Sequence, residues 1–146
     1  MKKIAMFIAI AFMGTSLAAL SLKEKQALAG LDFSWSEKRI KDNYGSDVKV
    51  SVDQDSFAGD MNAIDYASSR GAERVANAIA KICNDNIGKE ALQAKKITKV
   101  VLKNMKTGRK VEIVNGTLTL LSAFGGSGDN DYFGENELKD AIENLL

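Results

Sequence analysis

Between Ile97 and Leu121 strand-forming runs alternate with turn chemistry, and no other stretch constrains the fold so strongly. Ile97 to Met105 is rich in β-branched and aliphatic residues. Lys106-Thr107-Gly108 offers a short turn with a glycine free to take positive φ, and Val111 to Val114 resumes the strand pattern. Asn115-Gly116 is the preferred two-residue hairpin turn, and it leads into Thr117-Leu118-Thr119-Leu120-Leu121. The simplest reading is a meander of three antiparallel strands in succession.

Upstream, Val48, Val50 and Val52 alternate with Lys49, Ser51 and Asp53, the period of a strand with one buried face. Helices account for the rest. Ser21-x-x-Glu24 and Ser34-x-x-Glu37 each have capping-box spacing, with Gly30 and Gly45 as stops, and one bent helix or two short ones fit equally. Leu28, Leu31, Trp35, Ile40 and Tyr44 form the inward side of that region. Arg70 to Ile82 reads as an alanine-rich helix, Gly88 to Ala94 as a shorter one, and Glu135 to Leu146 as a last one whose apolar side carries Leu138, Ala141, Ile142, Leu145 and Leu146. The order α-β-α-α-β-β-β-α predicts an α+β domain with helices packed on one face of a small, mainly antiparallel sheet.

The first residues carry an address. Lys2 and Lys3 precede the apolar run Ile4 to Met13, and Ser16 and Ala18 supply small residues at the positions a signal peptidase reads. The expectation is a signal peptide over 1–18, cleaved before Ala19, with 19–146 as a single domain that is periplasmic or secreted and lacks a transmembrane anchor after cleavage. Without Lys2 and Lys3 the 20 basic residues fall to 18 against 19 acidic ones, a net charge of −1, which is no footprint for nucleic acid.

A single cysteine, Cys83, rules out an intrachain disulfide, so packing must stabilise the domain. Cys83 shares a helical face with Val75, Ile79 and Ile82 and is expected to be buried there as a small hydrophobe. Histidine is absent, which removes Ser-His-Asp and Cys-His catalysis and His-ligated zinc. Proline is absent too, so turns rely on Gly, Asn and Asp.

The remaining motifs favour structural readings. Ser46-Asp47-Val48-Lys49 and Lys106-Thr107-Gly108 resemble two signatures of penicillin-binding enzymes. The likeness covers only seven residues, the Ser-Asp-Asn signature is missing, and the two segments read as strand entry and turn. Asp129-Asn130-Asp131-Tyr132-Phe133-Gly134 with Asp140 partly matches a calcium loop. Phe133 takes the place of an oxygen ligand and Asp140 that of the usual bidentate Glu, so a solvated loop is expected and no metal or cofactor is assigned.

Two function classes remain. Lys89, Lys95, Lys96, Lys99, Lys103, Lys106, Arg109 and Lys110 form a basic stretch opposed only by Glu90, and Lys99, Lys103, Lys106 and Arg109 are the candidate binding residues. This pattern fits a small non-catalytic binding or accessory protein that meets a protein or an anionic envelope polymer through a surface. The same lysines would also protect a sheet edge. The alternative is a carboxylate-dependent hydrolase drawing on Asp53, Asp55, Asp60 and Asp65, with Asp60 equally suited to cap a helix.

Overall fold

The structure, a computed structural model, describes residues 19–146, and the expected signal peptide at 1–18 lies outside the described residues. Strands β1 (Lys49–Val52), β2 (Lys99–Asn104), β3 (Arg109–Val114) and β4 (Thr117–Ser122) form a four-stranded sheet in the order β1-β2-β4-β3. β1 and β4 both run parallel to β2, and β3 alone is antiparallel to its neighbour, β4. The domain is α+β as expected, but the order is α-α-β-α-α-α-β-β-β-α, with two helices more than expected, the sheet is mixed, and the meander is overturned: β4 inserts between β2 and β3. Polarity is the physical reason. β4 carries no charge and fully buries Leu118 and Leu120, whereas β3 reads Arg-Lys-Val-Glu-Ile-Val and suits an edge.

The hairpin turn makes the insertion possible. Asn115 (φ 49°) and Gly116 (φ 78°) form the two-residue loop between Val114 and Thr117. A Cβ on Gly116 would sit 2.6 Å from the Lys96 carbonyl oxygen, and Thr98 N–H donates to the Gly116 carbonyl at 2.9 Å. The turn therefore docks beside the entrance to β2. Lys106-Thr107-Gly108 is not a hairpin turn but a bridge across the end of β4, held by Met105 N–H to Ser122 O at 2.9 Å and Ala123 N–H to Gly108 O at 3.0 Å.

Helices cover one face of this sheet. α1 (Leu22–Ala29) opens with the expected capping box, and the Glu24 carboxylate also accepts from Gly59 N–H at 2.8 Å, tying α1 to the segment after β1. α2 (Ser34–Tyr44) does not form its box. Asp32 accepts from Ser34 N–H at 2.9 Å, and Glu37 is diverted to Val50 N–H at 3.0 Å.

After a 3-10 turn at Gln54–Phe57, α3 (Met61–Tyr66) runs through a wider π turn at Ala67–Ala72 into α4 (Glu73–Ile82), a longer helical path than the expected start at Arg70. Gly71 lets the π turn approach the sheet, since a Cβ there would lie 2.9 Å from Leu102 Cδ1 and 3.1 Å from Phe124 Cε1. α5 (Asn86–Ala94) is capped by Asp85, and α6 (Glu135–Glu143) packs against α4 and β3.

One apolar cluster joins these layers, from Leu28, Ile40 and Tyr44 through Phe57, Ile64 and Ile79 to Leu138 and Ile142. Three side chains depart from expectation. Trp35 is 54% exposed, because α2 turns Ile40 and Tyr44 inward and carries Trp35 over Arg39 instead. Leu145 lies past the end of α6 and is also exposed. Cys83 is half-buried, since it is the C-cap of α4 rather than an interior helical position; partial burial still pushes its thiol pKa up.

Candidate functional site

Successive side chains of a strand point to opposite faces, so the register fixes what the uncovered side of the sheet presents. Lys49, Lys99, Thr117 and Val114 form one row across β1, β2, β4 and β3. Ser51, Val101, Thr119 and Glu112 form the next, and Lys103, Leu121 and Lys110 the third. None of these side chains is buried, whereas the alternate positions Val50, Val100, Leu102, Leu118, Leu120 and Val111 are all in the core. The open face is thus an apolar and hydroxyl-bearing centre, Val101, Thr119 and Leu121, bordered by lysines and by Glu112, which pairs with Lys110.

The four sequence-selected cations separate on this geometry. Lys99 and Lys103 belong to the open face, and Lys106 projects from the bridge at its end. Lys99 and Lys106 enter no ion pair among the described residues, while Lys103 lies 3.9 Å from Asp53. Arg109 does not join them. It occupies the phase of the covered face, donates to Tyr132 O at 2.9 Å and to both Glu137 oxygens at 2.6 and 3.2 Å, and lies over the Phe133 ring. That fork holds the Glu137 carboxyl below its ordinary pKa, with Gly134 N–H adding to the effect. Arg109 is therefore a strut between β3 and α6. Its place among the candidates is taken by Lys49 and Lys110, which the alternation around Val50 and Val111 signals once the strand partners are known.

The aspartates of the enzymatic alternative have structural employment or stand apart. Asp60 caps α3 through Ala63 N–H at 2.9 Å and accepts from Asn104 Nδ2 at 3.1 Å. Asp53 faces Lys103, and Asp55 and Asp65 are exposed. Three surface hollows of about 260, 320 and 220 Å³ are lined by parts of α2, the α5–β2 connection and the entry to β1, and by none of these four carboxylates. Among the described residues no three acidic or sulfur ligands cluster as a metal site. In the calcium-like segment, Asp131 accepts from Gly128 N–H at 2.9 Å and Phe133 is buried.

An arginine cluster escaped the sequence reading. The Arg70 guanidinium lies between the Tyr66 and Tyr132 rings, 3.7 and 4.1 Å from their centroids, and donates to Phe124 O at 2.7 Å and Gly126 O at 2.9 Å. Arg74 donates to Phe133 O and also faces Tyr132. Arg70 thus fastens the glycine-rich segment after β4 to the π turn and Arg74 fastens Phe133 to α4, and both links span too much sequence for any local pattern to announce them. No helix among the described residues is long and apolar enough to cross a membrane. No family model, no curated protein and no solved structure matches this chain.

Proposed function

We propose that this chain is a small exported, non-catalytic binding protein whose open sheet face engages an anionic partner, either an acidic protein or an envelope polymer. The observation that carries this reading is the face itself: one side of the sheet lies under helices, while the other leaves Lys49, Lys99, Lys103 and Lys110 around Val101, Thr119 and Leu121. Lysines at this density steer an anion, and the apolar and hydroxyl centre adds short-range contact once it arrives. Export rests on the layout of residues 1–18.

The test is retention on immobilised polyglutamate and capture from an envelope fraction, comparing the parent with a Lys99→Glu, Lys103→Glu, Lys106→Glu variant. Three lost contacts at ~0.2–1 kcal/mol each, plus new repulsion, should weaken binding at low salt by roughly tenfold or more. The difference should shrink as salt rises. All three side chains are exposed, so thermal stability should change little. Equal retention of parent and variant at low ionic strength refutes the reading.

A further inference from the structure

The two edges of the sheet are treated differently by the rest of the chain. At β1 the outward Val50 N–H is taken by the Glu37 carboxylate at 3.0 Å, with Lys49 Nζ 3.4 Å from the same group. Of the two outward N–H groups of β1, those of Val50 and Val52, one is thus taken by a side chain from α2. At β3 the two-residue turn makes Val114 and Thr117 a hydrogen-bonded pair, and Gly108 O accepts from Ala123 N–H at 3.0 Å, so the even-numbered positions face β4. The backbone N–H and C=O groups of Arg109, Val111 and Ile113 then point away from the sheet. Among the described residues, none of these three N–H groups donates to a turn, a loop or a side chain.

We propose that β3 pairs antiparallel with β3 of a second copy of this chain, with Val111 opposite its counterpart. Among antiparallel registers, only those that place odd-numbered residues opposite one another satisfy the free groups on both strands. Centring the pair on Lys110 or Glu112 sets identical charges face to face. Centring it on Arg109 or Ile113 runs the ladder into the flanking bridge or turn. Centred on Val111, the register pairs Arg109 with Ile113 of the second copy and uses the whole strand. It also places each Lys110 opposite the second copy's Glu112, in the closely spaced non-hydrogen-bonded position where opposite charges attract most.

Lys110 and Glu112 already lie 2.8 Å apart within one chain, so the dimer would carry an alternating square of four charges on the open face. The two-fold axis stands perpendicular to the sheet. Both open faces then lie on one side of an eight-stranded sheet, a geometry that would double the lysine-bearing surface. The inference does not depend on that surface binding anything.

Charge reversal separates this register from others. Sedimentation equilibrium over a concentration series should show the parent in monomer–dimer exchange. Lys110→Glu alone and Glu112→Lys alone each replace two attractive pairs with repulsive ones and should weaken self-association roughly tenfold or more. An equimolar mixture of the two single variants restores both pairs and should form heterodimers near parental strength, as should the double exchange with itself. Both side chains lie outside the core, and circular dichroism verifies that each variant folds. Amides of Arg109, Val111 and Ile113 should gain protection from hydrogen exchange as the parent concentration rises. A parent that stays monomeric overturns the proposal. So does a dimer that the single variants leave intact, or a mixture that fails to associate.

Discussion

Replacing Gly71 by alanine sets two effects of opposite sign against each other. In a helical segment the exchange gains up to ~1 kcal/mol of backbone propensity. The added Cβ would lie 2.9 and 3.2 Å from the two Leu102 methyls and 3.1 Å from Phe124 Cε1. Neither neighbour can withdraw cheaply. Leu102 is fully buried on a strand flanked by β1 and β4, and Phe124 is fully buried and stacked on Phe57 with centroids 5.8 Å apart and planes 9° from parallel. Overpacking of this kind costs about 1–3 kcal/mol. It exceeds the propensity term, the more so because the segment is a π turn rather than a regular helix.

The expected net loss is about 1–2 kcal/mol, with a fall in Tm of roughly 4–10 °C for a domain of this size. Urea titration followed by circular dichroism should show a lower midpoint at unchanged slope. Leu102→Val in the same background should recover part of the loss, because the clash is with the Leu102 methyls, and the double-mutant cycle would report that coupling. A Gly71→Ala protein as stable as the parent or more so, or a cycle with no coupling, refutes the packing argument.

Arg70→Met should remove the bonds to the Phe124 and Gly126 carbonyls together with the tyrosine stacking. About 1.5–3 kcal/mol of stability should be lost, the half-exposed site limiting the penalty. Hydrogen exchange should accelerate selectively between residues 123 and 134, and unchanged exchange there would contradict the fastening role. Stability should also depend on acid pH through Glu24, Glu135 and Glu137, whose folded pKa values lie below the ordinary range. The first cause is the Ser21 N–H bond for Glu24, the Lys81 bond for Glu135 and the Arg109 bond for Glu137. Their contribution is present above the ordinary glutamate pKa of ~4.3 and is lost as pH falls through the lower folded values. Glu24→Gln should therefore be less stable than the parent at neutral pH, and the gap should narrow in acid; a gap that is constant with pH would exclude the Glu24 carboxylate as its source.

Much of the chain could be read locally. The Ser21 capping box, the Asn115-Gly116 turn and the inward phase of Val48, Val50 and Val52 each depend on residues within a few positions of one another. So does the open-face phase of Lys99 and Lys103. A distinction that the sequence held but the meander reading left unused is the contrast between uncharged Thr-Leu-Thr-Leu-Leu-Ser and charged Arg-Lys-Val-Glu-Ile-Val, which tells a central strand from an edge.

What the amino-acid order determined by itself was the four strands with their buried phases, most of the helices, and the exclusion of histidine and disulfide chemistry. Only the tertiary structure decided which strands are neighbours, that Glu37 serves β1 rather than its own helix, and that Arg109 braces α6 while Lys49 and Lys110 border the open face. The reason is physical: capping, turn geometry and side-chain alternation act over a few residues, whereas strand order follows from the competition of whole strands for a buried position between others. A side chain such as Arg109 takes its partner from whichever distant segment that competition brings beside it.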